Sequence, residues 1–135
     1  MLYEFDIEVK AKTKKDSPKE QELNLTHGIV HRIEIEFPAG CRGYVFLVIY
    51  HRQHQVWPSN LDDAFDAEGY TIPMTEHFDL TEPPHNLLVK AWSPQATYDH
   101  TITVRVGILP KEVLLPVIGL KELFINLLIP KRIRG

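Results

Sequence analysis

The stretch Tyr44-Val-Phe-Leu-Val-Ile-Tyr50 carries the most information about the fold. Its residues are all apolar or aromatic and dense in β-branched types, which at this length favours a strand over a helix. A strand without a polar side has to be covered on both faces. We therefore expect the central strand of a sheet, or a strand whose outer face meets a partner or the C-terminal segment.

Alternation of apolar and polar residues predicts further strands on both sides of this stretch. Residues 3–11 place an apolar side chain at every second position, and residues 23–37 and 101–109 repeat the pattern. A period of two is typical of a strand with one buried face. Residues 12–22 contain no large apolar side chain and predict a solvated loop. His31 falls in the inward register of its strand, where an imidazole at the edge of the core is favoured over a ligand.

Shorter apolar runs at residues 70–72, 78–80 and 87–92 predict the remaining strands. The loop after residue 92 has the Pro and Asp that are typical of a hairpin connection. We count six to eight strands and no helical crossover. The fold class predicted is all-β, an antiparallel β-sandwich of jelly-roll or Ig-like type with a short C-terminal helix or arm.

Length and composition fit one soluble domain. The chain has 135 residues, a formal net charge of -3 and 44% hydrophobic residues. Its single cysteine, Cys41, excludes an internal disulfide framework and a multi-cysteine metal site. Glu4, Asp6 and Glu8 follow the first Met at once, so we expect neither a secretory signal nor a membrane anchor there. The negative charge disfavours nucleic acid as a partner.

The C-terminal part of the chain differs from the rest. We divide the sequence into a β-sandwich domain, residues 1–110, and an apolar and basic arm, residues 111–135, with a helix predicted over 117–129. The apolar run is too short and too interrupted to span a membrane. The Leu, Ile and Phe residues of the predicted helix form an apolar stripe along one side. This stripe is more apolar surface than a single solvent-exposed helix carries. The predicted interface residues are Leu120, Leu123, Phe124, Leu127, Leu128, Lys131, Arg132 and Arg134.

Charge is unevenly distributed between the two parts. Residues 53–89 hold seven carboxylates and no Lys or Arg, whereas residues 105–135 hold six basic groups against Glu112 and Glu122. Such a layout suits repeated contact between copies, each arm lying on a neighbour. The sequence therefore predicts a homo-oligomer.

No catalytic signature stands out, so we predict no enzyme, no cofactor and no catalytic, cofactor-binding or metal-binding residues. His51 and His54 are three apart, a spacing that sends two side chains of one strand to opposite faces unless the strand ends between them. The acidic run Asp62-Asp-Ala-Phe-Asp-Ala-Glu-Gly69 lacks the ligand spacing of a calcium loop. Arg42 is placed to lower the pKa of the Cys41 thiol, although a lone cysteine in a turn is usually structural.

Two other classes of function remain open. The aromatic residues Trp57, Tyr70, Trp92 and Tyr98 are compatible with a sugar-stacking platform on a carbohydrate-binding sandwich. The opposing interpretation is that Trp57 and Trp92 cap the two ends of the core. A small-barrel metal-dependent enzyme is the second alternative.

Residues 25–110 carry landmarks of a known group. These are Thr26-His-Gly-Ile-Val-His-Arg32, Phe37-Pro-Ala-Gly-Cys41, Gln55-Val-Trp-Pro-Ser-Asn60, Leu80-Thr-Glu-Pro-Pro84 and Tyr98-Asp-His-Thr-Ile-Thr-Val104. In them the chain resembles small β-rich structural proteins of tailed phages and related elements. The resemblance implies a non-enzymatic virion component of capsid-decorating or head–tail type, assembled in the host cytoplasm. Its partners would be itself, a capsid protein or a tail protein.

Overall fold

A computed structural model describes residues 1–111 of the chain. Their regular structure consists of eight β-strands. These are β1 (Leu2–Val9), β2 (Lys19–Asn24), β3 (Ile29–Phe37), β4 (Phe46–His51), β5 (His54–Trp57), β6 (Tyr70–Asp79), β7 (Asn86–Trp92) and β8 (His100–Leu109).

The strands form two antiparallel four-stranded sheets. One sheet has the order β1-β8-β3-β6 and the other β2-β7-β4-β5. We call them the first and the second sheet. This order is that of a jelly roll, so the predicted all-β sandwich is confirmed and the choice between its two predicted types falls on the jelly roll.

The strand pairing is that of one long antiparallel hairpin that is rolled into the two sheets. β1 pairs with β8, β2 with β7, β3 with β6 and β4 with β5, so the numbers of each pair add up to nine. The tip of the hairpin is the two-residue turn Arg52-Gln53, where both residues have positive φ, 51° and 67°. A two-residue turn with two positive φ values matches the right-handed twist of the strands on either side.

The core lies between the sheets and is filled by the inward positions of every strand. Along β3 the side chains of Ile33, Ile35 and Phe37 are at most 1% exposed, and the glutamates between them face outward. Leu47 and Ile49 of β4 face them from the second sheet at 0% exposure. The apolar residues of the alternating sequence pattern thus lie in the core, and the polar residues between them lie on the surface.

Several strand boundaries differ from those predicted. The loop predicted over 12–22 is wrong at its end, because β2 begins at Lys19 as a charged edge strand with Leu23 facing the core. The strand predicted over 23–37 is two strands in different sheets, β2 and β3, separated by Leu25–Gly28. The loop after β7 is not a hairpin, since β7 and β8 belong to different sheets.

The prediction for His31 is also wrong. The register of β3 shifts between Val30 and Arg32, which is a β-bulge. The bulge takes His31 out of the inward register, so its side chain is half-buried against Gly107 and not part of the core.

The predicted arm, its helix and all eight predicted interface residues lie outside the described residues. The division into a domain and an arm is not tested and stays a prediction. Within residues 1–111, no helix is long and apolar enough to cross a membrane.

Candidate functional site

The outer surfaces of the two sheets have opposite character. On the first sheet Arg105 lies between Glu4 of β1 and the glutamates of β3, with Nε 3.1 Å from Glu4 Oε1, Nη2 2.9 Å from Glu36 Oε1 and Nη1 3.8 Å from Glu34 Oε2. Most of its other outward positions are charged residues and threonines, such as Asp6 and Thr103, which are hydrogen-bonded at 2.8 Å, and Leu2 at the start of β1 is an apolar exception. This surface is an ordinary solvated sheet face.

The middle of the outer surface of the second sheet carries apolar and aromatic side chains, whereas its edge strand β2 presents Glu20 and Glu22. Outward positions of β4 and β7 carry five large side chains, and we call this surface the aromatic face. Each alternates with a buried inward residue of its strand, and the pairing register sets them side by side. The members are Val48, which is 2% exposed, and the half-buried Phe46, Tyr50, Leu88 and Trp92.

The rings of the aromatic face are held in fixed positions. Phe46 and Trp92 are directly paired across the strands and stack with centroids 6.0 Å apart and an interplanar angle of 18°. The Lys90 ammonium lies 4.9 Å from the centroid of Tyr50, and that of Lys15 lies 5.4 Å from Trp92. Lys90 is the outward residue between Leu88 and Trp92 and pairs with Val48, so its cation–π contact places a charged side chain within the aromatic face. The expectation that β4 is covered or partnered on both faces therefore points to this surface.

The described chain ends at the end of the sandwich that carries the β4–β5 turn. Lys111 Nζ is 3.7 Å from Asp79 Oδ2 and lines a hollow shared with His51 and Arg52. His51 directly follows Tyr50, the member of the aromatic face at that end of β4. Lys111 therefore lies at the same end of the sandwich as Tyr50, although His51 itself packs on Phe78 of the first sheet.

The two histidines considered for a metal site lie opposite each other. His51 and His54 are paired across the β4–β5 hairpin, so the strand ends between them, which is the condition under which the sequence allowed their side chains to converge. His51 Nε2 is 3.2 Å from the carbonyl oxygen of Pro84, and its ring packs edge-on against Phe78. Among residues 1–111 no three His, Cys, Asp or Glu side chains are grouped as a metal site.

Cys41 is not an activated thiol. It is 0% exposed, and burial, with the charge of Glu68 as a smaller cause, raises the pKa of its thiol to about 11. The hypothesis that Arg42 lowers this pKa is wrong, because desolvation outweighs the neighbouring cation. A thiol with this pKa is protonated and unreactive at neutral pH.

The four aromatic residues of the carbohydrate hypothesis are not brought together. Trp57 is 3% exposed and packs in the core against Phe78 with ring centroids 5.2 Å apart, which fits its interpretation as a core residue. Trp92 belongs to the aromatic face. Tyr70 begins β6 at 59% exposure, and Tyr98 lies in the β7–β8 loop at 75% exposure. The platform as predicted from the sequence does not form.

Comparisons with known proteins give distant structural similarity alone. No protein-family model matches the sequence, and no curated protein matches it. The chain is similar to the solved structure of a de novo designed double-stranded β-helix, with 11% identity over 78% of this chain and 99% of that one and a TM-score of 0.39. It is also similar to PliG of Aeromonas hydrophila, a periplasmic inhibitor of g-type lysozyme, with 6% identity over 80% and 86% of the chains and a TM-score of 0.45.

A third similar structure is that of Bacillus endospore appendages, described as a family of disulfide-linked pili. Its identity is 13% over 81% of this chain and 88% of that one, with a TM-score of 0.33. All three are small β proteins, and at these identities and TM-scores none of them bears on what this chain does. The resemblance to phage structural proteins stays a prediction.

Proposed function

We propose that the chain is a non-enzymatic structural protein that self-associates, with the C-terminal segment 112–135 of one copy docking on the aromatic face of a neighbouring copy. The observation that carries the proposal is the aromatic face itself. Contiguous apolar side chains at the outward positions of a sheet mark an interaction surface. The outer surface of the first sheet, which is mostly polar, provides the internal contrast.

The occupant is argued from the chemistry of the segment. Residues 112–135 supply Leu120, Leu123, Phe124, Leu127 and Leu128 at helical spacing, an apolar stripe that needs a second surface. The predicted helix over 117–129 is about 20 Å long at 1.5 Å per residue. Strand β4 spans about 20 Å at 3.3 Å per residue. The segment and the aromatic face match in polarity and in length.

Charge favours contact between copies. Residues 1–111 contain 16 acidic and 11 basic residues, whereas residues 112–135 contain two acidic and four basic residues. The domains of two copies therefore repel each other, and the segment of one copy is attracted to the domain of another. The basic residues Lys131, Arg132 and Arg134 follow the apolar stripe. They suit the acidic loop that contains Asp62, Asp63 and Asp66.

The finer assignment is to a virion. It rests on the resemblance of residues 25–110 to structural proteins of tailed phages, and it is compatible with the jelly roll, a fold that viral capsid proteins share with lectins and cupins. We infer a capsid-decorating or head–tail component, assembled in the host cytoplasm, whose partners are its own copies and a capsid or tail protein. Mass spectrometry of purified particles tests this assignment. Absence of the chain from the particles contradicts it.

The test of self-association is sedimentation velocity of the full chain over a concentration series. Leu88→Lys places a charge on the aromatic face, and Leu123→Ala with Phe124→Ala removes the apolar stripe. We expect both variants to be monomeric at concentrations where the unmodified chain is oligomeric. The matched control is Thr101→Lys, which adds the same charge on the outer surface of the first sheet opposite Glu8 and should leave assembly unchanged. Circular dichroism confirms that each variant is folded.

A mixing experiment distinguishes a neighbour's segment from the chain's own. The Leu88→Lys variant keeps an intact segment, and the double alanine variant keeps an intact aromatic face. Mixing the two monomeric variants should restore a complex, because each supplies the element that the other lacks. If the unmodified chain is monomeric, or if the mixture stays monomeric, segment 112–135 does not dock on a neighbour and the proposal is wrong.

A further inference from the structure

A cleft opens at the end of the sandwich opposite the Arg52-Gln53 turn. It lies between the β3–β4 loop and the β7–β8 loop and has a volume of about 530 Å³. This is within the range of small-molecule sites. We call it the loop cleft. Its lining consists of Gly40, Cys41, Arg42, Tyr44, Gln95, Ala96, Thr97, Tyr98 and His100.

One wall of the loop cleft is fixed by a buttressing carboxylate. Glu68, from the β5–β6 loop, accepts hydrogen bonds from the backbone N–H groups of Gly40 at 2.9 Å and Arg42 at 2.7 Å. These bonds hold a turn in which Gly40, Arg42 and Gly43 all have positive φ, at 99°, 53° and 73°. A non-glycine residue with positive φ persists only where its surroundings enforce it. The turn that presents the Arg42 side chain is therefore preformed.

The opposite wall is anchored to the β1–β2 loop. The backbone N–H of Lys12 donates to the carbonyl of Ala96 at 3.2 Å, and that of Ala11 donates to Asp99 Oδ1 at 2.7 Å. Buried Ser93 donates from Oγ to the carbonyl of Lys10 at 2.8 Å. Both walls are ordered without a ligand, so binding does not carry the entropic cost of ordering these loops.

The lining supplies apolar ring faces and hydrogen-bond donors, and no carboxylate lines the cleft. Tyr44 and Tyr98 are 43% and 75% exposed, so their rings are accessible to a ligand in the cleft. Within residues 1–111, no carboxylate lies within 4 Å of the Arg42 guanidinium. Gln95, Thr97 and His100 add further polar groups around it.

We propose that the loop cleft binds a carboxylated sugar, such as a uronic acid residue of a glycan. The tyrosine rings offer apolar planes to the C–H face of a pyranose ring, and their hydroxyl groups reach its oxygens. The Arg42 guanidinium, which forms no salt bridge within residues 1–111 although the charge of Glu68 acts on it at longer range, matches a carboxylate in a two-bond geometry. A neutral sugar has no group that pairs with the Arg42 guanidinium as a carboxylate does, so the acidic group of the ligand is the feature that the cleft selects.

Titration calorimetry of the full chain with glucuronic acid tests the proposal. Glucose has the same ring without the carboxylate, and cyclohexanecarboxylate has a ring and a carboxylate without the hydroxyl groups. We expect glucuronic acid to bind at least tenfold more tightly than either. Tyr98→Ala should weaken its binding about tenfold, and Arg42→Gln should abolish the preference over glucose.

The chain offers a matched control for each variant. Tyr70→Ala removes a tyrosine of similar exposure on β6, and Arg52→Gln changes another arginine with positive φ, 51°, at the other end of the sandwich. Neither should alter binding. Leu88→Lys, which disrupts the aromatic face, should also leave it intact, so failure of the assembly proposal does not affect this one. Absence of glucuronic acid binding, equal affinity for glucose, or equal losses in the control variants would overturn the proposal.

Discussion

The imidazole of His31 occupies the space that a side chain at Gly107 would need. A Cβ atom at residue 107 would lie 2.8 Å from His31 Nε2 and 3.2 Å from its Cε1. The contact exists because the bulge in β3 sets His31 against β8. Only glycine allows the ring to lie directly on the strand, and the two residues are therefore energetically coupled.

We predict that Gly107→Ala destabilises the domain by about 1–3 kcal/mol, the cost of overpacking. The same substitution in a His31→Ala background should cost clearly less, because the obstructing ring is gone. Urea unfolding of the two single variants and the double variant measures the coupling. Strictly additive free energies would mean that the ring moves aside without cost.

Gly28→Ala should be more harmful than Gly107→Ala. A Cβ at residue 28 would lie 2.6 Å from Ile108 Cγ2 and 2.7 Å from the backbone oxygen of Leu109, and φ is +151°. A backbone atom cannot rotate away as the His31 ring can, and the φ value adds strain. We expect a lower midpoint in thermal unfolding than for Gly107→Ala. The reverse order would contradict the stated geometry.

Cys41 should be inert in the folded protein. With a buried thiol whose pKa is raised to about 11, we expect no reaction with a thiol-specific disulfide reagent at pH 8 over hours. In 6 M guanidinium, on the order of a concentration that unfolds most domains, the same thiol should react at once. Rapid modification of the native chain would show that the β3–β4 turn opens easily.

The hydrogen bonds of Glu68 predict a pH dependence. The backbone N–H groups of Arg42 and Gly40 lower the pKa of Glu68 below 4.5, so its contribution to stability is present above pH 4.5 and is lost as the pH falls through the lowered pKa. We expect Glu68→Gln to lower the unfolding midpoint at pH 7, with a difference from the unmodified chain that narrows below pH 4.5. Glu76→Gln, at an exposed position of β6, is the control. A difference that stays constant down to low pH would exclude the carboxylate as the cause.

The dependence on salt concentration should distinguish the electrostatic part of the proposed docking contact from its apolar part. Exposed charges are screened over about 8 Å at physiological ionic strength, whereas apolar contacts are not screened. Raising the salt concentration should slow association and loosen the finished assembly only modestly. Replacing Lys131, Arg132 and Arg134 by Ser should have the same effect, measured by stopped-flow light scattering. Collapse of the assembly on this triple replacement would mean that charge alone binds the segment.

The pattern of apolar and polar residues was sufficient to predict those strands in which every inward position is apolar. β1 and β8 alternate without interruption, and both were placed almost to the residue. β2 was missed because it is an edge strand in which Leu23 is the buried apolar residue and charges fill most other positions. β6 was predicted as two short strands because Pro73 interrupts its pattern, but an edge strand tolerates proline.

Only the β4 part of the aromatic face could be predicted from the sequence. The unbroken apolar run of residues 44–50 pointed to a second covered face on β4. Its partners Leu88 and Trp92 come from β7, and their register depends on pairing between distant segments that no local pattern encodes. The β4–β5 hairpin was missed for a different reason, since Arg52-Gln53 lacks the Asn-Gly or Asp-Gly signal of such turns.

Strand pairing in which partner numbers add up to nine has a consequence for folding kinetics. β4 and β5 are neighbours in sequence and close a loop of two residues, whereas β1 and β8 lie at opposite ends of the described chain. Loop closure becomes more costly with each pair outward from the tip. We expect a chain that zips from Arg52-Gln53 towards its ends, on the millisecond-to-second scale of all-β domains with distant pairings. Substitutions near the tip should slow folding, and those in β1 should mainly speed unfolding.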